Sequence, residues 1–515
     1  MLLAGFALLC ALGALLTPTA EASWIAPVGV STLSLQARDP QVAVDGQGNV
    51  TVAWVSGTSS QDIVVAEHPA GGLWTAPVQR ISESGACSDP RLAVNSAGGA
   101  ILVADCGSGA TLMRSATRSV FGTWSALSAE IPGSGSGEEP RIALDGAGNA
   151  VVVWEASNVV QSSYKKAAGG WEAALPVSPA GKVTRNPEVA VSPTGRAIAV
   201  WLEDRDETVS DPVVQVDTIS RQGSAAWSGF KFLSGPATST VPVAFSEPQV
   251  TIGAGGRFAA WAQLGTPTPV LKNAWGSGSD FGTWGEDASS HVSADAAYEV
   301  ESPRIALDGS GGAVAVFRAR KLENSDFVVR TASTSFINGG WSSQATLASG
   351  GNGSTQPDVA VDPGGDAIAA WRLGGTVSAL SHPGGGAFVP PGTAISNGAH
   401  PGFEEPRVAI DSGGNGIVVW GSGTTPAHVA VAVDDVTPPA ISVTPPPTVV
   451  AGSAVALTAS ATDIWSPTSL AWDFGDGASA NGGSVSHAYS TAGAKSATVT
   501  ATDAAGNSTT AVVLL

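Results

Sequence analysis

One stretch of this 515-residue chain gathers groups that could do chemistry. In "PRIALDGAGNAVVVW", residues 140–154, Arg141 follows a proline, Asp145 opens a glycine-rich turn and Trp154 ends a strand-like run. Related stretches begin at Pro40, Pro90, Pro187, Pro248, Pro303, Pro357 and Pro406. Two kinds of chemistry fit the residue types: a carboxylate metal site at the turn, or recognition of a ligand by the arginines and the acids before each proline.

The turn carboxylate does not read as a metal ligand. Asp145 recurs as Asp45, Asp308, Asp362 and Asp411, but as Asn95, Ser192 and Gly253 elsewhere. That set is what an Asx-type turn accepts, because each side chain caps backbone N–H groups and glycine needs no cap. Calcium needs about six to eight converging oxygens, and each repeat offers one carboxylate. The hairpin resembles a loose form of the aspartate box of sialidase-type propellers, where the turn is likewise structural. It lacks that box's Ser and Thr positions.

The residues flanking the prolines form a second periodic set. Asp39, Asp89, Glu139, Asn186, Glu247, Ser302, Gln356 and Glu405 precede them, and Arg91, Arg141, Arg304 and Arg407 follow four of them. Repeat symmetry puts both positions near one rim. The candidate ligand rim is therefore Arg91, Arg141, Arg304 and Arg407 with Asp39, Asp89, Glu139, Glu247 and Glu405. The competing reading is ion pairing between neighbouring repeats, worth roughly 0–1 kcal/mol per exposed pair.

No catalytic residue, cofactor or metal site is assigned. A sialidase-like enzyme would need an arginine cluster and an activated tyrosine with an acidic partner. Only Tyr164 and Tyr298 lie among the repeats, neither in a recognisable motif, and the six histidines form no H-x-x-x-H. C-x-x-C is also absent, so zinc chemistry has no sequence support.

The elements that must hold these residues are short strands. Gly (64) and Pro (33) are abundant while charged residues make up only 13%, a composition of strands joined by tight turns. A net charge of −19 argues against nucleic acid and anionic membrane surfaces, which need clustered Lys and Arg. The opening "MLLAGFALLCALGALLTPTAEAS" reads as a signal peptide over 1–22, with cleavage after Ala20-Glu21-Ala22. Leu9 stands before Cys10 where a lipoprotein signal has a small residue. No later run is long and apolar enough to span a membrane, so the mature chain is expected to be secreted or on the cell surface.

The repeat spacing of 47 to 61 residues signals a propeller or solenoid. Each unit reads as a hairpin, a third strand ("DIVVAEH" at 62) and a fourth led by tryptophan ("GGLWTAPVQRIS" at 71). Four-stranded units at this period fit an all-β propeller. Eight units imply eight blades, or seven if one copy is displaced. An orphan strand, "SWIAPVGVSTLS" at 23, precedes the first hairpin, and the last unit lacks such a strand. Pairing the two would close the ring and remove its edges.

Tryptophan and cysteine spacing supports the same scaffold. Of fourteen tryptophans in this region, thirteen fall at two repeating positions, which suits inter-blade staples better than platforms for stacking sugars. Trp275 lies outside those positions and is the better candidate for exposure. Cys87 and Cys106 face each other if the second hairpin turns near Ser96–Ala97, so an exported chain should join them as a disulfide. That repeat has Ala104 where others have an aromatic.

After "DDVTPPAISVTPPPTVV" the pattern changes. "WDFGDG" (472–477), "HAY" (487–489) and "ATDAAGN" (501–507) resemble the polycystic-kidney-disease (PKD) domain, an immunoglobulin-like β-sandwich. The resemblance implies an extracellular spacer or polysaccharide-associated module, with Asp473 and Asp476 as turn residues. The family's aromatic two residues after the glycine matching Gly493 is Lys495 here.

The sequence thus predicts a signal peptide (1–22), a propeller (23–434) closed by its N- and C-terminal strands, a linker (435–440) and a PKD-like sandwich (441–515). The expected function is non-enzymatic binding of an extracellular glycan or protein ligand. The alternative is a polysaccharide-active enzyme of sialidase-like architecture.

Overall fold

The computed structural model describes residues 24–31, 36–58, 61–83, 85–107, 111–120, 122–125, 129–204, 214–234, 244–253, 256–264, 270–276, 284, 291–294, 297–335, 340–350, 357–384, 386–402, 404–423, 427–444 and 450–515. The signal peptide, Cys10 and Gln356 lie outside these residues.

Between Trp24 and Asp434 the described residues form eight four-stranded antiparallel sheets in a propeller-like arrangement. The third is typical, with strands Gly137–Leu144, Ala150–Ala156, Val159–Lys165 and Leu175–Pro176 in sequence order. Each strand at or just after a repeat proline packs against its counterparts in the sheets on either side, and Ala37–Val44 packs against Arg407–Ile410 of the last sheet. The proline strand is therefore innermost in each sheet, and the tryptophan-led segment is outermost. Trp24–Gly29 pairs with His428–Asp434 of the last repeat, with Trp24 opposite Asp434 and Gly29 opposite Ala430.

The first hairpin turns hold themselves. Asp145 Oδ1 accepts the N–H groups of Ala147 (3.0 Å) and Asn149 (2.8 Å), while Asn149 Nδ2 donates to Asp145 Oδ2 at 2.7 Å. Asp45 and Asp411 make the equivalent three bonds, with Gln47 and Asn49 and with Gly413 and Asn415. Gly148 sits at φ 85°, a conformation that costs a side chain strain. Neighbouring turns are also joined, since the Gly146 N–H donates to the Pro193 carbonyl of the next sheet at 3.0 Å.

Tryptophans fill the seams between sheets. Trp154 is buried among Ile101, Val103, Met113 and Ile131 of the preceding sheet, a burial worth up to about 4–6 kcal/mol by area. Its indole N–H has no acceptor among the described residues, which subtracts from that gain. The outer tryptophans reach back one sheet through their N–H groups: Trp124 to Glu67 (3.1 Å), Trp171 to Ser115 (2.8 Å) and Trp227 to Ser162 (2.7 Å). Trp275 is half-buried against the fifth-to-sixth sheet core with Phe258 and Phe317, so the expectation of exposure does not hold. Cys87 and Cys106 are opposite in register and disulfide-bonded. They share a core with Ala104 and Trp124.

The C-terminal region packs the sheet Ala440–Thr444, Ala454–Thr462 and Ser484–Ala488 on a second sheet. The second comprises Ser479–Asn481, Ser469–Asp473, Ser496–Thr502 and Ser508–Leu514. Trp472, Phe474 and Tyr489 fill the space between them. The Trp472 N–H donates to the Gly482 carbonyl (3.0 Å) and the Tyr489 hydroxyl to that of Phe474 (3.0 Å). Lys495 pairs its backbone with Leu515, and its ammonium donates to Thr491 Oγ1 at 3.0 Å.

Candidate functional site

The residues around the repeat prolines owe their placement to one repeated backbone device. In the first six sheets the register slips at the proline. The residue before it turns into the left-handed region: Asp39 (φ 53°), Asp89 (47°), Glu139 (52°), Asn186 (51°), Glu247 (25°) and Ser302 (48°). Proline cannot donate to a ladder, so a bulge is where an inner strand tolerates it. Left-handed backbone at a non-glycine residue is uncommon and strained. Six copies of it recur at equivalent positions of the first six inner strands.

The side chain after the proline is fixed locally in six of the repeats. Gln41, Arg91, Arg141, Gln249, Arg304 and Arg407 each donate back to the carbonyl of the preceding proline, at 2.9 to 3.3 Å. With Glu188 and Asp358 they occupy equivalent positions along the inner strands, in the order Gln41, Arg91, Arg141, Glu188, Gln249, Arg304, Asp358, Arg407.

Most ring members find partners. Arg141 Nε lies 2.7 Å from Glu188 Oε1 of the next sheet, and Gln249 shares that carboxylate oxygen at 3.5 Å. Arg304 reaches Glu247 at 3.4 Å and Arg407 reaches Glu405 at 3.6 Å. Asp358 Oδ2 accepts the Val408 N–H at 2.9 Å. Arg91 makes no ion pair among the described residues. Burial, then the charges of Arg141 and Arg407, push it down to about 9, with Asp89 and Glu188 opposing. Burial also disfavours the Arg141 charge, but Glu188 outweighs it and raises that group. The arginines of the eighth, second and third sheets thus act on one another electrostatically. Arg304 sits apart with Glu247.

Of the acids, Asp39 meets Arg38 at 3.4 Å and Glu139 offers its carbonyl to Arg141 at 3.5 Å. Glu404 belongs to the same end of the ring and was not assigned from sequence. Its Oε2 accepts the Asp39 N–H at 2.7 Å. Burial pushes its carboxyl up to about 7; the Asp39 N–H bond opposes the shift, the Asp39 charge adds to it, and Arg38 and Arg407 oppose it. The only signal for it was an acid doublet, Glu404-Glu405, before Pro406.

The C-terminal sandwich docks at the opposite end, on the hairpin turns. Asn415 Oδ1 accepts the N–H groups of Val436 (2.9 Å) and Thr437 (3.2 Å), and the Gly71 N–H donates to the Ile464 carbonyl at 2.8 Å. His68 is sandwiched between Trp74 and Trp465, with centroids at 5.2 and 5.3 Å. A cleft of about 450 Å³, lined by Val28, Leu73, Val433 and these two tryptophans, follows the seam. From the bulge at Asp39 to the turn at Asp45 is six residues, roughly 20 Å of strand. The sandwich therefore leaves the bulge end uncovered.

The junction brings together three carboxylates that sequence reading left unassigned to a metal. Ligand oxygens of Asp435, Asp463 and Asp503 lie within 4.8 Å of one another. Asp435 is fully buried. Burial, then Asp463 and Asp503, push its carboxyl up to about 7. Ser466 Oγ donates to Asp435 at 3.2 Å, and Asn507 Nδ2 donates to the Asp435 carbonyl at 2.8 Å. This all-oxygen set is of the kind that could hold a hard divalent cation. Asp473 and Asp476 are elsewhere, accepting the turn N–H groups of Gly475 (2.8 Å) and Ala478 (3.2 Å).

Residues 436–514 match the family model of the PKD domain. No curated protein matches the chain. Among solved structures, the polysaccharide lyase Uly1 aligns with TM-score 0.46 at 10% identity, over 66% of this chain and 88% of that one. An α-L-arabinanase of Penicillium chrysogenum, complexed with arabinobiose, aligns with TM-score 0.37 at 16% identity, over 57% and 92%. A protein of unknown function from Dyadobacter fermentans aligns with TM-score 0.37 at 12% identity, over 80% and 98%. At these scores and identities the matches transfer no activity.

Proposed function

We propose that this chain is an exported binding protein, without enzymatic activity, that meets an extracellular glycan or protein at the proline end of its inner ring. The single observation that carries this reading is the ring itself. Charged and amide side chains stand at equivalent positions, six of them bonded back to the preceding proline carbonyl, at the end the PKD domain does not cover. Rigid presentation lowers the entropy lost on binding. In the proposed domain plan a signal peptide (1–22) is removed, 23–434 form a closed eight-bladed propeller, 435–440 link, and 441–515 are the sandwich. The eight sheets, the contact between first and last inner strands, and the pairing of Trp24–Gly29 with His428–Asp434 support that plan. The disulfide and the PKD domain support an extracellular location, and no helix among the described residues is long and apolar enough to cross a membrane. Nucleic acid is disfavoured by the net charge of −19.

Glu404 favours a second reading, a polysaccharide-active enzyme. A carboxyl pushed up to about 7 beside Asp39 and within reach of Arg38 and Arg407 is placed as a general acid would be. Glycan-array binding of the purified chain, run alongside assays for new reducing ends on the polysaccharides bound, separates the two. Binding without turnover is expected. Turnover abolished by Glu404→Gln would replace the binding reading by the enzymatic one.

A further inference from the structure

We propose that Arg91, beside Arg141 and within the electrostatic reach of Arg407, seats a single carboxylate or sulfate group of an acidic glycan; this rests on the binding reading above. Three observations lead there. First, the chain carries 43 acidic and only 24 basic residues, yet consecutive sheets eight, one, two and three present Arg407, Gln41, Arg91 and Arg141 at ring positions, all donors. The other half of the ring holds Glu188, Gln249, Arg304 and Asp358. The ring is thus electrostatically lopsided.

Second, the two arginines that act on it are already neutralised, Arg141 by Glu188 and Arg407 by Glu405. Arg91 differs. One of its guanidinium nitrogens, Nη1, donates to the Pro90 carbonyl at 2.9 Å, and no other protein acceptor takes its remaining N–H groups among the described residues. A guanidinium offers five donors in a planar fork, so an edge remains for two parallel bonds to a carboxylate or sulfate. Third, Arg91 is only half-buried by solvent exposure, yet it experiences Arg141 and Arg407 on other sheets. It is recessed but reachable. The acids at the same end, Asp39, Asp89, Glu139 and Glu405, repel further negative charge. The seat therefore takes one anionic group, with neutral sugar hydroxyls against the surrounding acids and amides.

Calorimetric titration of the full chain tests this with three probes: trigalacturonate, its methyl ester, and sodium sulfate. Trigalacturonate is expected to bind, and the uncharged ester to bind at least about tenfold more weakly, as loss of a charged bidentate contact implies. Arg91→Gln should weaken trigalacturonate to the level of the ester, and Arg91→Lys should fall between, since it keeps the charge without the fork. Lys495→Gln, in the other domain, controls for loss of one positive charge and should change nothing. Melting temperatures verify that the variants fold; if Arg91→Gln does not fold, the ester comparison and Arg91→Lys decide. Equal affinity for acid and ester, or an unchanged Kd in a folded Arg91→Gln, overturns the inference. So does binding of sulfate without trigalacturonate, which would mark a free-ion site. Neutral glycan binding that ignores Arg91→Gln overturns the inference alone and leaves the binding reading intact. A chain that binds no glycan or protein on arrays loses both.

Discussion

The carboxylate of Glu404 accepts the backbone N–H of Asp39 at 2.7 Å across 365 residues of sequence, joining the last sheet to the first at the bulge end. Its carboxyl stands at about 7, above the ordinary 4.5. The folded chain therefore keeps a proton that the unfolded chain releases. Stability should fall as pH rises from about 4.5 through 7 and level off above, by about 1–3 kcal/mol in all. Glu404→Gln should flatten that part of the profile, measured by urea midpoints between pH 5 and 8. An unchanged slope would remove Glu404 as its source.

Asp435 obeys the same sign at the domain junction. Above pH 7 its buried charge faces Asp463 and Asp503, and no salt bridge meets it among the described residues. In EDTA at pH 8, Asp435→Asn should melt higher than the parent by a few degrees, because about 1–3 kcal/mol of repulsion is removed. At pH 5 the difference should shrink. A lower melting point at pH 8 would show that the Asp435 charge stabilises the junction instead.

The Cys87–Cys106 bond spans 19 residues, so a Cys87→Ala/Cys106→Ala double variant should lose roughly 3 kcal/mol in guanidinium unfolding. Reducing agent should bring the parent to the same value.

Asp145→Ala should cost about 2 kcal/mol, since it deletes three hydrogen bonds of a buried turn. Ligand binding at the opposite end of the sheet should be unaffected. A loss of binding at unchanged stability would return Asp145 to the list of functional residues.

The sequence by itself determined what depends on near neighbours and period. The Asp145 turn, Cys87 with Cys106, and the tryptophans at two repeating positions are legible because turn chemistry and hairpin register act over a few residues. The same periodicity brought Arg91, Arg141, Arg304 and Arg407 to equivalent places. Periodicity could not say which strand is innermost, nor that four equivalent arginines are electrostatically different. Arg141 is satisfied because the next sheet supplies Glu188, whereas the sheets beside Arg91 supply Gln41 and another arginine. Glu404 and the Asp435, Asp463 and Asp503 group were equally hidden. Their shifts come from burial and from charges brought close across hundreds or tens of residues. Such energies depend on distance and solvent exclusion, which only the tertiary structure decides.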